Sequence, residues 1–178
     1  MKIIKIFILF FIILSCTTKV PKETKIEIKT ISLGCINFII PENMEESPED
    51  AKKFRYKMLL VDKEKQYYNS SRMIAIREKK NVFNDSLKDF AELDQDYLQQ
   101  SVSMIYEDDW EPAGFKDKNI NYIAYQFKYT YGYEIIYQRS VYIECSEYFY
   151  IISLSSLLKT NILDDENNHF WESFNVIP

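Results

Sequence analysis

The chain has 178 residues, with 22 basic and 27 acidic side chains and a formal net charge of −5. That length suits a single domain with a real hydrophobic core. The acidity excludes nucleic acid as a partner, because phosphates demand a basic surface.

The first element is a signal. Lys2 and Lys5 precede a short apolar run that closes in Ile13-Leu14-Ser15-Cys16. The run from Ile3 to Leu14 is about a dozen residues, roughly 18 Å of helix at ~1.5 Å each. Crossing a ~30 Å hydrocarbon core takes about 20 apolar residues, so a permanent span is not expected. An ordinary secretory signal shares the charged start and apolar middle but needs no cysteine beside its cleavage site. The tetrapeptide resembles a bacterial lipobox. The resemblance implies that residues 1–15 are removed and that Cys16 carries diacylglycerol and palmitate-type acyl chains. Two or three such chains, at ~0.8 kcal/mol per buried methylene, make release from a membrane negligible. Loss of Lys2 and Lys5 takes the mature charge from −5 to −7. The lipid, rather than attraction to anionic headgroups, must therefore anchor the protein. The expected location is the cell envelope, on the outer membrane where the organism has one, with the domain outside the cytoplasm.

Residues 16–24 are polar and lack periodicity, which reads as a tether. One domain is expected over residues 25–178. Ile26, Ile28 and Thr30 alternate with charged residues, and after Gly34 the run Ile36-Asn37-Phe38-Ile39-Ile40 ends at Pro41, which cannot donate to a ladder. Residues 41–48 read as a loop. Strands are predicted over 55–61 and 72–79, separated by a polar stretch. Ser86 and Asp89 resemble a capping box. Leu87, Phe90, Leu93, Tyr97 and Leu98 then recur at helical spacing, which predicts one buried face. Residues 107–118 read as an acidic loop.

The longest regular pattern follows. Ile123, Tyr125, Phe127, Tyr129, Tyr131 and Tyr133 alternate with Ala124, Gln126, Lys128, Thr130 and Gly132, the period of a strand. Gly132 supplies a turn, a second strand covers 134–144, residues 145–147 turn again, and a third strand covers 148–155. Strands joined so tightly are antiparallel neighbours. Tyr125 and Phe127 are expected in the core, with Gln126 and Lys128 on a wetter face. Asp164, Asp165 and Glu166 ahead of Phe170, Trp171 and Phe174 predict a terminal amphipathic helix.

With Cys16 spent on lipid, Cys35 and Cys145 remain in a compartment where disulfides persist. A bridge between them would close a loop of roughly 110 residues and add on the order of 4 kcal/mol. Cysteine also packs as a small hydrophobe, and two buried free thiols are the favoured reading. One histidine and two cysteines are too few for a zinc site. The acidic runs 107–109 and 164–166 lack the alternating spacing of a calcium loop, and three glycines leave no phosphate-cradling loop. No metal and no cofactor is expected. His169, in the terminal helix, has no marked nucleophile beside it, so no catalytic residue is assigned. The matches to the glycosylation pattern at 69–71 and 84–86 are coincidental in a bacterial lipoprotein. Aromatics left exposed at strand ends and loops can anchor an interface; the candidate patch is Trp110, Tyr129, Tyr131 and Tyr133.

The order of elements is similar to the PsbP-like fold: an opening hairpin at Gly34, an apolar strand running into Pro41-Glu42-Asn43, two strands, a helix from Ser86-Leu87, a three-stranded meander, and a closing helix with Phe170 and Ser173-Phe174. That fold is shared by photosystem accessory proteins, a yeast Ran-GTPase-binding protein and DcrB-type bacterial lipoproteins. The resemblance covers roughly residues 25–177. It implies an α+β domain with an antiparallel sheet of about six or seven strands flanked by two helices. It also implies a role in binding or assisting other proteins. The expected function is therefore a non-enzymatic accessory lipoprotein with a protein partner. A surface lipoprotein contacting a host factor or toxin is the alternative, and a cell-envelope enzyme comes after it.

Overall fold

The computed structural model describes residues 29–63, 72–107 and 109–177, and of residues 165 and 166 only the backbone. The signal, Cys16, the tether, Ile26, Ile28, residues 69–71 and Asp108 lie outside the described residues.

Seven strands form one antiparallel sheet. In chain order they are β3 (Met44–Glu46), β4 (Met58–Asp62), β5 (Arg72–Lys80), β6 (Ser103–Tyr106), β7 (Tyr122–Tyr131), β8 (Glu134–Cys145) and β9 (Tyr148–Ser156), and across the sheet they run β3-β4-β5-β9-β8-β7-β6. A second, three-stranded sheet holds β1 (Thr30–Leu33), β2 (Ile36–Ile39) and β10 (Asn175–Val176), with β2 in the middle. Among the described residues there are also four short or medium helices: α1 (Pro48–Phe54), α2 (Leu87–Ser101), α3 (Lys159–Leu163) and α4 (Asp165–Glu172). The α+β class and the strand number match the sequence reading.

The predicted meander forms as read. Gly132 takes φ +64° at the β7–β8 turn and Ser146 takes φ +56° at the β8–β9 turn. Tyr131 pairs with Glu134, and Cys145 with Tyr148. Gly34, at φ +57°, turns β1 into β2, and a Cβ there would collide with the Tyr150 hydroxyl. The Ser86 side chain caps α2 by accepting from the Asp89 N–H at 3.1 Å, which satisfies one of the donors a helix start leaves open.

Elements pack on both faces of the large sheet, completely on one and in two separate places on the other, and this corrects the expected wet face. Ile74, Ile76, Val141, Ile143, Ile152 and Leu154 point one way, into the principal core. The small sheet and α4 close that core: Phe38 stacks on Phe174 at 5.0 Å and meets Phe170 edge-on at 5.8 Å. Gln126 lies on this face and is buried. The other face carries two smaller clusters, one under α2 and one under α1. Phe127 is fully buried there, whereas Tyr125 on the same face is only half-buried. Alternation told which residues share a face; it did not tell that a helix covers one face and a second sheet covers the other.

Other expectations shift. Residues 48–54, read partly as loop, form α1. Pro48 sits in its first turn with Glu49 and Asp50, and Lys52 and Lys53 close it, as the helix dipole favours. Arg55 then breaks out at φ +60°, which delays β4 to Met58. The buried stripe of α2 contains Leu87, Phe90, Ala91 and Gln95, while Leu93 and Tyr97 are exposed. The terminal helix expected behind Asp164, Asp165 and Glu166 forms as α4, and a short helix the sequence did not announce, α3, precedes it across Asp164, whose backbone is extended.

Cys35 and Cys145 are joined as a disulfide, with Cα atoms 6.3 Å apart, inside the range such bridges require. This overturns the preference for free thiols. The β1–β2 turn lands on the end of β8, and the C-terminal segment clips both: Ile177 N–H donates to the Cys35 carbonyl at 2.7 Å.

Candidate functional site

Helices α1 and α2 sit on the same face of the large sheet without meeting over its centre. Phe90 stacks on Phe149 at 4.2 Å and meets Tyr142 edge-on at 6.2 Å, which seats the N-terminal half of α2 over one end of β8 and β9. Ala51 and Leu59 seat α1 over β4 with Ala75 of β5 beneath. Between the helices lies an open groove of about 440 Å³, within the ~300–1,000 Å³ typical of small-ligand sites.

The floor of the groove is polar because the sequence changes character along the strands. On β9 this face reads Phe149, Ile151, then Ser153 and Ser155; on β8 it reads Tyr142, Ser140, then Gln138. Where α2 covers the sheet the side chains are apolar or aromatic, and beyond its cover they are small or hydrogen-bonding. Ser140 and Ser153 hydroxyls lie 3.0 Å apart, and Gln138 Nε2 donates to Ser140 Oγ at 2.8 Å.

One wall is polar at its base. Arg77 Nη1 and Nη2 donate to the two carboxylate oxygens of Asp94 at 3.0 and 2.7 Å, the bidentate geometry that makes such pairs directional. The Tyr142 hydroxyl donates to Asp94 Oδ2 at 2.8 Å and accepts from Gln95 Nε2 at 2.5 Å. Burial, followed by the Asp94 charge, raises the Tyr142 phenol well above its ordinary value. Gln95 thus sits in the buried stripe of α2, and Asp94 part-buried beside it, with partners to satisfy both. The rim is aromatic. Phe54 and Tyr56 rings lie 6.2 Å apart, and Phe54 and Tyr97 are more than half exposed. Tyr129 closes one end, its phenol pushed up to about 12 by burial, with Tyr56 and Tyr131 adding to the rise.

The four residues singled out from the sequence are dispersed. Tyr129 lines the groove. Tyr131 follows it on the same face at the tip of the β7–β8 hairpin, and Tyr133 is fully exposed in that turn. Trp110 lies on the opposite side of the sheet, half-buried, edge-on to Trp171 at 5.2 Å with the Arg139 guanidinium 4.7 Å over its ring. Arg139 is held there by Gln126 Oε1 at 2.7 Å and the Ile162 carbonyl at 2.8 Å. Its burial lowers its pKa to about 10 while Glu107 opposes the fall. Trp110 belongs to that packing and not to the groove.

Sequence reasoning missed Arg77, Asp94, Gln95, Ser153 and Ser155. Their signal was present: two polar residues inside a helical stripe, and serines where strand alternation calls for apolar side chains. His169 is exposed on α4, 3.4 Å from the Glu172 carboxylate. Among the described residues, no three His, Cys, Asp or Glu side chains gather as a metal site, and no helix is long and apolar enough to cross a membrane.

No protein family and no curated protein matches the sequence. Solved structures do match the fold. LpqN of Mycobacterium tuberculosis, a protein involved in cell envelope biogenesis, superposes with a TM-score of 0.58 at 13% identity, over 84% of this chain and 90% of LpqN. The cyanobacterial PsbP of Synechocystis sp. PCC 6803 superposes with a TM-score of 0.57 at 8% identity, over 84% of this chain and 92% of its own. At such identities the likeness is one of fold: the domain is PsbP-like.

Proposed function

We propose that this protein is a lipid-anchored module of the bacterial cell envelope that binds a partner in the groove between α1 and α2, without transforming it. The observation that carries the reading is a polar groove floor beneath an aromatic rim, with Gln138 and Ser153 part-exposed and Ser155 buried beside them. A sheet face that serves only stability is covered or apolar at its centre; here the helices part over hydrogen-bonding side chains. Binding rather than catalysis is favoured by how the groove's one carboxylate is engaged. Asp94 is held by Arg77 and Tyr142, so both of its oxygens are engaged within the protein and neither is turned freely toward a ligand. The envelope setting draws on the lipobox at Cys16 and on the fold shared with LpqN, an envelope-biogenesis protein.

A photoreactive phenylalanine placed at Tyr97 or Tyr131, in cells of the native host, tests the site. Both positions are exposed, so folding is preserved. Crosslinked products are expected from these positions and not from a control at His169 on the other side of the sheet. Products from His169 alone would move the site off the groove.

A further inference from the structure

Resting on the groove reading above, we infer that its ligand is a neutral saccharide, free or as the head of an envelope glycolipid. Charge is the first argument. Of the residues lining the groove, only Arg77 and Asp94 are ionised, and they neutralise each other through two bonds. An anion such as phosphate would need an unpaired cation, and an ammonium or metal ion an unpaired carboxylate. Neither stands in the lining.

The second argument is the pairing of flat apolar walls with an uncharged polar floor. Tyr97, exposed at the rim, and Tyr129, part-buried at one end, offer aromatic rings of the kind that stack against an apolar surface. Ser153, Ser155 and Gln138 each both donate and accept, which matches ligand hydroxyl groups that do the same. A fatty-acyl chain would offer these groups nothing beyond the bonds that Gln138 and Ser153 already make to Ser140, and would leave their remaining donors and acceptors unmet. An extended peptide gains affinity by adding a strand to a sheet edge, and this groove lies over a sheet face, between strands already paired on both sides. A pyranose ring presents C–H faces and a rim of hydroxyls, and fits both surfaces. Glycoside hydrolysis would need two carboxylates flanking the bond, whereas the lining supplies Asp94 alone, so the inference is of binding.

Titration of the intact full-length protein, followed by tyrosine fluorescence and calorimetry, tests this. The probes are maltose, cellobiose and N,N′-diacetylchitobiose, beside phosphatidylcholine vesicles with and without a galactosyl diacylglycerol, and inorganic phosphate as the anion. Binding of at least one saccharide or of the glycolipid vesicles alone is expected, insensitive to salt and uncompeted by phosphate; which arm responds separates free sugar from lipid head. Tyr97→Ala and Tyr129→Ala should each weaken it at least about tenfold. Tyr97 is exposed, so its variant folds whatever Tyr129→Ala does. A response from no sugar-bearing probe, full-strength binding in Tyr97→Ala, or competition by phosphate would overturn the inference. Groove-dependent crosslinks persisting beside a negative titration would leave the binding module standing and remove only the saccharide.

Discussion

Tyr125 and Phe127 stand two residues apart on β7 and face the same helix, yet only Phe127 is fully enclosed. Its ring meets Tyr106 at 6.2 Å and Tyr129 at 6.1 Å, with the β6 edge strand folded beside it. Tyr125 packs on Tyr106 and Tyr142 at 6.0 and 5.8 Å but keeps one side in water. Phe127→Ala should therefore cost about 3–5 kcal/mol in urea denaturation, and Tyr125→Ala less than half as much. Equal costs would mean that the burial contrast is absent in solution. Alternation predicted the shared face of these two residues, but the difference between them depends on β6, whose four residues carry no strand signal of their own. Gln126 shows the converse. Its polarity suggested a wet position, and it is instead buried because Arg139 and Glu107 meet its amide.

At the scale of elements, β7, β8 and β9 were legible because each is long, alternates with period two and ends in a local turn signal. β3, β6 and β10 were not, since strands of two to four residues exist through their neighbours: β10 by pairing with β2, β6 by pairing with β7. The break between α3 and α4 has a tertiary cause as well, for Arg139 takes the Ile162 carbonyl and Asn167 takes the Asn161 carbonyl. The Cys35–Cys145 bridge acts at this level, tying the β1–β2 turn to the end of β8 across a sequence separation of 110 residues. Closing so long a loop restricts the unfolded chain by about 4–5 kcal/mol. The Cys35→Ser, Cys145→Ser double variant, or the wild type held in reductant, should lose on that order of stability in denaturant titrations. An unchanged midpoint in both would show that no such bridge restricts the unfolded chain.

For the molecule as a whole, the lipobox and the net charge bear on location. A chain at −7 after loss of residues 1–15 gains nothing from an anionic membrane surface, so membrane retention should depend on the acyl chains. Intact mass of membrane-extracted protein is expected to correspond to residues 16–178 plus acyl groups, and Cys16→Ser should release the protein or leave it unprocessed. A wild-type protein that retains Met1 would remove the anchor from the proposal. The sequence by itself determined the fold class, the meander and the cap of α2, because each is written in short-range periodicity and turn chemistry. It did not determine the groove. Ser153 and Ser155 lie on β9 and Asp94 and Gln95 on α2, far apart in the chain, and only the places where α1 and α2 settle decide which of the sheet's polar residues border the groove. The disulfide was decided the same way: two cysteines distant in the chain pair or stay apart according to where the small sheet docks, a matter of long-range packing that local patterns do not encode.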